Sequence, residues 1–137
     1  SEQEVPVQSM VFALYVYVKA LYVLYRDDID AFIANQLHRI EQDIRKTVLI
    51  NSHPWELIYT YLSLIALQAG NNPLAIVWRD KIKNAVYNPG KSIKHRMVYG
   101  LMRFYEQVND VATVQNYREQ LIKDNVDIEH YMTYMNR

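Results

Sequence analysis

The chain has 137 residues, of which 15 are basic, 15 are acidic and none is cysteine, and half of its residues are hydrophobic. A chain of this length can bury one sizeable core without a disulfide or a metal to hold it together. The composition excludes a disordered chain, a disulfide scaffold and cysteine-dependent catalysis, and the zero net charge disfavours a dedicated nucleic-acid-binding domain.

The first eight residues are polar and acidic and contain Pro6, where a secretion signal would need basic residues. We therefore expect a flexible N-terminus over residues 1–8, a single domain over residues 9–137 and a cytoplasmic location. Residues 10–25 are apolar or aromatic except for Lys19. As a helix they would rise roughly 24 Å, which is too short for a bilayer core. This segment predicts a helix that is either central to the fold or covered in part by a second copy of the chain.

A second helix is predicted after Asp27 and Asp28, either of which can cap it. Its apolar residues recur at spacings of three and four, as expected for one face of an amphipathic helix. They are Ile29, Phe32, Ile33, Leu37, Ile40, Ile44 and Val48. The other face is polar and contains Glu41, which we interpret as a surface partner of His38.

Five further helices are predicted from residues that favour helix ends. Gly70 suits the left-handed conformation that ends the third helix. The first residues or caps of the third to seventh helices are Trp55, Asn72, Ser92, Asn109 or Asp110, and Asp127. The turns within successive pairs are very short, so the helices are expected to form antiparallel hairpins.

An internal repeat is visible when the sequence is shifted by 39 residues. The shift places Leu62 on Leu101, Ala75 on Val114, Trp78 on Tyr117 and Ile82 on Leu121. With the Gly70-Asn71-Asn72 turn, these residues resemble the tetratricopeptide class over about residues 55–123. The resemblance implies a right-handed α-superhelix whose concave side binds peptides or proteins, with no catalytic residues. An up-and-down helical bundle is the alternative fold.

The run of helical pairs also resembles, in pattern, the C-terminal sensory domains of Rgg/PlcR-type peptide-responsive transcription regulators. That resemblance implies a ligand-sensing and dimerisation domain. No helix-turn-helix is visible in the 137 residues, so no direct contact with nucleic acid is expected through this segment.

No motif predicts an enzyme, a cofactor or a metal site. Residues 85–92 match a loose form of a phosphate-binding loop, but the segment before them is charged and helical where such a loop needs a buried strand. The four histidines are scattered over different segments, and no serine-hydrolase signature is present. We therefore predict a non-catalytic module that binds a peptide or a protein.

Positive charge is concentrated in residues 79–103, which hold seven basic residues and one acidic residue and so carry +6. Such a band could receive an acidic peptide, a C-terminal carboxylate or a phosphate group. It could equally face the acidic part of a second subunit or lie in solvent. The predicted partner-binding residues are Lys91, Lys94, Arg96, Arg103, Tyr99, Asn84 and Asn116.

The alternative function is that of a structural or adaptor protein that acts as a homodimer. The apolar first helix would then form the interface. The residues predicted to contribute are Tyr15, Tyr22 and Tyr25.

Overall fold

The computed structural model describes residues 4–46, 55–84 and 91–135. Seven α-helices and no β-strand lie in these ranges, which confirms the all-α fold predicted from the sequence. The helices are α1 (Glu4–Tyr25), α2 (Ala31–Arg45), α3 (Trp55–Gln68), α4 (Asn72–Lys83), α5 (Lys91–Gln107), α6 (Val111–Lys123) and α7 (Ile128–Met135). The first helix begins within residues 1–8, the segment for which flexibility was expected.

The helix α3 lies at the centre of the molecule, since every residue from Trp55 to Ala66 is buried. It packs against α1, α2, α4 and α5. A helix that is apolar on all sides is buried only when it has neighbours on all sides. The hydroxyl groups of Thr60 and Ser63 are satisfied within the helix, because Thr60 donates to the Glu56 carbonyl at 2.9 Å and Ser63 to the Thr60 carbonyl at 2.8 Å.

The helix α1 packs against α2 and α3 along one side only. Its buried stripe consists of Val11, Leu14, Tyr15, Val18 and Tyr22. The sequence predicted that this helix is either central to the fold or covered in part by a second copy of the chain. The central position belongs to α3, so of the two predictions partial cover by a second copy remains.

The close approach of α5 to α3 depends on a glycine. A β-carbon built on Gly100 would lie 2.2 Å from the Thr60 Oγ1 atom and 3.2 Å from the Thr60 Cβ atom. Contacts this short require the Thr60 side chain or the two helices to shift. Gly100 therefore sets the distance between the first helices of the two central hairpins, α3–α4 and α5–α6.

These two hairpins have the same kind of turn. Gly70 and Asn109 have positive φ angles of 76° and 62°, in the left-handed region that ends many helices. The next residue in each case, Asn71 or Asp110, caps the following helix through its side chain. The backbone N–H groups of both turns bond to carbonyls three and five residues earlier. The right-handed superhelix stays a prediction.

Several predicted helix starts were wrong by one to three residues. The cap of α2 is Asp30, which accepts from the Ile33 N–H at 3.1 Å, and not Asp27 or Asp28. The cap of α4 is Asn71, and α5 already begins at Lys91, so Ser92 lies inside that helix. In α2 and α4 the capping side chain is at the residue where the backbone leaves the turn. Residues 85–90 of the phosphate-loop-like segment lie outside the described residues.

The buried face of α2 also differs from the predicted one. Ala34, Leu37, Glu41 and Ile44 are buried, whereas Phe32 and Ile40 are exposed. The prediction that Glu41 forms a surface pair was therefore wrong. The helix is rotated so that Glu41 points inward, where its carboxylate meets hydrogen-bonding partners.

Candidate interaction surface

The largest group of exposed apolar side chains on one helix lies on α1. Phe12 is 61% exposed, Tyr17 50% and Leu24 68%. We define the α1 face as the solvent-facing side of this helix. It is formed by the half-buried Ala20 and by the exposed residues Met10, Phe12, Ala13, Val16, Tyr17 and Leu24. Single exposed apolar residues are ordinary on a protein surface, but a contiguous group of them marks an interaction site.

The α1 face continues into a groove between α1 and α2. The groove has a volume of about 430 Å³ and is mainly apolar. Its lining residues are Met10, Ala13, Leu14, Tyr17, Ile40, Asp43 and Ile44. Ile40 was predicted to point to the core, and its outward position supplies the α2 wall of the groove.

The α1 face is almost free of charge. Lys19 is the one charged residue between Val5 and Tyr25. Its ammonium lies 5.9 Å from the ring centroid of the inward-facing Tyr15, away from the row that contains Tyr17. A partner of the α1 face would therefore meet mainly apolar groups.

The basic band of residues 79–103 is largely used inside the molecule. Lys81 binds Glu41 at 2.8 Å, and Arg96 lies 3.1 Å from Glu56, so each buried carboxylate has a cation from this band. Arg103 donates to the Tyr22 hydroxyl at 3.0 Å. Part of the +6 charge is therefore used to pair buried carboxylates, which are tolerated when they are paired.

The best-defined of these contacts is the Glu41 cluster, formed by Glu41, Arg45, Tyr59 and Lys81. The Glu41 Oε1 atom accepts from the Tyr59 hydroxyl at 2.9 Å and from the Lys81 ammonium at 2.8 Å. The Arg45 guanidinium donates to the Tyr59 hydroxyl, and its Nε atom lies 3.6 Å from Glu41 Oε1. The cluster joins α2, α3 and α4.

The electrostatics of the Glu41 cluster keep its tyrosine protonated. Burial, and after it the negative charge of Glu41, raises the pKa of Tyr59 well above its ordinary value. The rings of Trp55 and Tyr59 stack at 5.3 Å, and the Lys81 ammonium lies 5.3 Å from the Tyr59 centroid. All four charged or hydroxyl groups of the cluster are bound to one another, so we interpret it as a structural contact.

The structure does not bring the predicted partner-binding residues together at one surface. Lys94, Asn84 and Asn116 are exposed, whereas the side chain of Lys91 lies outside the described residues. Arg96 and Arg103 are engaged as described above. Tyr99 is fully buried and stacks on Tyr131 with centroids 5.6 Å apart, and burial raises the pKa of its phenol to about 12.

The tyrosines predicted for a dimer interface are also divided. Tyr15 and Tyr22 are buried and contact Tyr61, with ring centroids 6.3 and 5.7 Å away. Tyr25 is 54% exposed. Two of the three tyrosines chosen from the sequence therefore face inward, and the choice missed Tyr17, which is exposed on the opposite side of the helix. The every-third-or-fourth spacing of the buried stripe would have separated the two groups.

Two kinds of feature are absent from the described residues. They contain no group of three or more histidine, aspartate and glutamate side chains placed to hold a metal ion. None of the described helices combines the length and the apolar character needed to cross a bilayer.

Comparisons with known proteins give no relative. No protein-family model, curated protein or solved structure matches the chain. The function is therefore argued from the surface alone.

Proposed function

We propose that the chain is a non-catalytic helical module that binds another protein chain through the α1 face. The observation that supports the proposal is the contiguous exposure of Met10, Phe12, Val16, Tyr17 and Leu24 beside the apolar groove between α1 and α2. An apolar face of this kind costs solubility in a free chain, and its cover by a partner removes that cost.

The form of the surface indicates how a partner would bind. A groove between two helices accepts the apolar side of a third helix, which anchors itself through residues three and four positions apart. The open side of α1 extends over the fourteen steps from Met10 to Leu24, or roughly 21 Å of helix. This length accommodates about four turns of a partner helix.

A displayed peptide library tests the proposal. The library is selected against the wild-type chain, and the recovered peptides are then measured on the Tyr17→Glu and Lys94→Glu variants. Both positions are exposed, so both variants should fold, but only Tyr17 lies on the α1 face. We expect amphipathic helical peptides that lose at least tenfold in affinity on Tyr17→Glu and bind Lys94→Glu as they bind the wild type.

Two outcomes would contradict the proposal. Peptides that depend on Lys94 and ignore Tyr17 would move the binding surface to the exposed end of the basic band. A selection that recovers nothing above background, on a chain that also stays monomeric, would leave the α1 face without a binding function.

A further inference from the structure

We infer that the chain covering the α1 face is a second copy of this protein, packed as an antiparallel α1–α1 pair. The inference rests on the proposed function, because it names the partner of the same surface. Three observations carry it: the spacing of large and small residues on the α1 face, the distribution of charge and the size of the exposed surface.

The residues of the α1 face are spaced so that the same face of a second copy can pack against it. Met10, Tyr17 and Leu24 recur every seven residues, and Ala13 and Ala20 lie between them. This alternation of three and four residues is the spacing by which two helices pack along a seam. When two such helices run antiparallel with Tyr17 at the centre, Met10 of one lies beside Leu24 of the other, and the alanines of one lie beside the alanines of the other.

The positions of these residues also define a two-fold axis. The midpoint between Ala13 and Ala20 falls at Val16–Tyr17, and the midpoint between Met10 and Leu24 falls at Tyr17. A two-fold axis near Tyr17 therefore places Ala13 opposite Ala20 of the second copy along the full length of the α1 face. Such an interface is closed, as expected for a dimer.

The charge distribution favours a second copy over a charged partner. The chain has no net charge, so two copies do not repel each other at long range. The α1 face offers no ion pair that could select an acidic or basic protein. Asp43, at the groove wall, already has Lys46 of its own helix at 3.7 Å.

The exposed area is sufficient for a specific but modest dimer. An aromatic side chain can bury roughly 150–250 Å², and Phe12 and Tyr17 expose half or more of theirs. With the aliphatic residues of the α1 face and with Ile40, a symmetric pair would bury on the order of 1,000 Å² in total, the lower limit for a specific interface. We therefore expect a dimer that dissociates in the micromolar range.

Sedimentation equilibrium of the full chain tests the inference. The wild-type chain should pass from monomer to dimer between low and high micromolar concentrations. Tyr17→Glu should weaken the dimer by roughly a hundredfold or more, because it buries two unpaired charges at the two-fold axis. Ile122→Glu is the matched control, since Ile122 is 58% exposed on α6, and it should dimerise as the wild type does.

Cross-linking tests the orientation of the pair. The natural chain has no cysteine, so single cysteines can be introduced without interference. A mixture of Ala13→Cys and Ala20→Cys chains should form several-fold more disulfide-linked dimer than either variant alone. Faster linkage of Ala13→Cys to itself than to Ala20→Cys would overturn the antiparallel arrangement.

The outcomes separate this inference from the proposed function. A wild-type chain that stays monomeric into the high micromolar range overturns the inference, as does a dimer that Tyr17→Glu leaves intact while circular dichroism shows a folded chain. If a monomeric chain still selects peptides that depend on Tyr17, the proposed function stands with a different partner. If it selects none, both are wrong.

Discussion

At the scale of single residues, the feature that most affects stability is the buried Glu41. Its carboxylate has no exposed surface, and it accepts hydrogen bonds from both Tyr59 and Lys81. Hydrogen bonds to a charged group contribute about 1.5–3 kcal/mol each, more than neutral ones. Neutralising this carboxylate should therefore lower the free energy of unfolding measurably.

We predict that Glu41→Gln lowers the free energy of unfolding by about 1–3 kcal/mol. Lys81 and Arg45 are partly exposed and can turn to water, which keeps the loss below that of a fully buried broken pair. Urea unfolding followed by circular dichroism measures the change. Asp43→Asn is the same chemical change on the same helix, but Asp43 is 75% exposed, so its effect should stay within about 0.5 kcal/mol. Equal losses in the two variants would show that the Glu41 cluster does not stabilise the fold.

A second prediction concerns pH and Tyr99. Burial raises the pKa of this phenol to about 12, whereas an unfolded tyrosine ionises near pH 10. The folded chain therefore holds the proton more tightly, so this contribution to stability is complete below pH 10 and is lost as the pH rises toward 12. The loss from one such group reaches about 1.4 kcal/mol per pH unit.

Tyr99→Phe isolates that contribution. The Tyr99 hydroxyl makes no hydrogen bond to the described residues, so at neutral pH its removal should change the free energy of unfolding by less than about 1 kcal/mol. Above pH 10 the variant should lose stability less steeply than the wild type. Urea unfolding at neutral pH and at two pH values above 10 tests this, and parallel slopes would contradict the burial of an ionisable phenol at this position.

Single residues also mark the limit of what the sequence could predict. Gly70 was predicted correctly, and Asp110 was one of the two residues predicted to start α6, because the chemistry of a turn or a cap depends on neighbours within a few residues. The burial of Glu41 could not be predicted in this way. It depends on Lys81, forty positions away in the sequence, and a glutamate on a charged helix is normally exposed.

At the scale of helices, the packing of α5 on α3 makes the clearest prediction. Gly100→Ala should lower the free energy of unfolding by about 1–3 kcal/mol, because the new methyl group would overlap the Thr60 side chain. This loss should appear although alanine favours a helix over glycine by up to about 1 kcal/mol. Thermal and urea unfolding measure the change.

A double mutant separates steric overlap from other causes. Thr60→Ala removes the two Thr60 atoms beyond its Cβ that approach Gly100, so Gly100→Ala should cost less in the Thr60→Ala background than in the wild type. The difference is the coupling between the two positions. If the cost of Gly100→Ala is the same in both backgrounds, the close contact between α3 and α5 is not as described.

The helices themselves were largely predictable, and their orientations were not. Apolar spacing and end signals predicted all seven helices that the described residues contain. The side of α2 that faces the core was not predicted, since Ile33 and Ile40 are as apolar as core residues are. Contacts with other helices decided the rotation, and those contacts lie outside any local window of sequence.

At the scale of the whole molecule, the sequence offers two candidates for the central helix. Both α1 and α3 are apolar on nearly all sides, so composition alone did not show which one would be buried. The structure places α3 in the centre and leaves the α1 face open. The predicted partner-binding residues do not lie together at one surface for a related reason. Buried carboxylates on α2 and α3 use the cations of the basic band, and burial depends on the complete fold.

The central claim is that the α1 face is the surface that another chain covers. Hydroxyl-radical footprinting with mass spectrometry tests it most directly, because methionine and aromatic side chains are oxidised where solvent reaches them. Met10 on the α1 face and Met132 on α7 are exposed to a similar extent, 46% and 40%, and serve as probe and internal control. We predict that oxidation of Met10 falls several-fold when the chain is concentrated or when a selected peptide is added, while oxidation of Met132 stays constant. Equal oxidation of both residues under all these conditions would contradict the account.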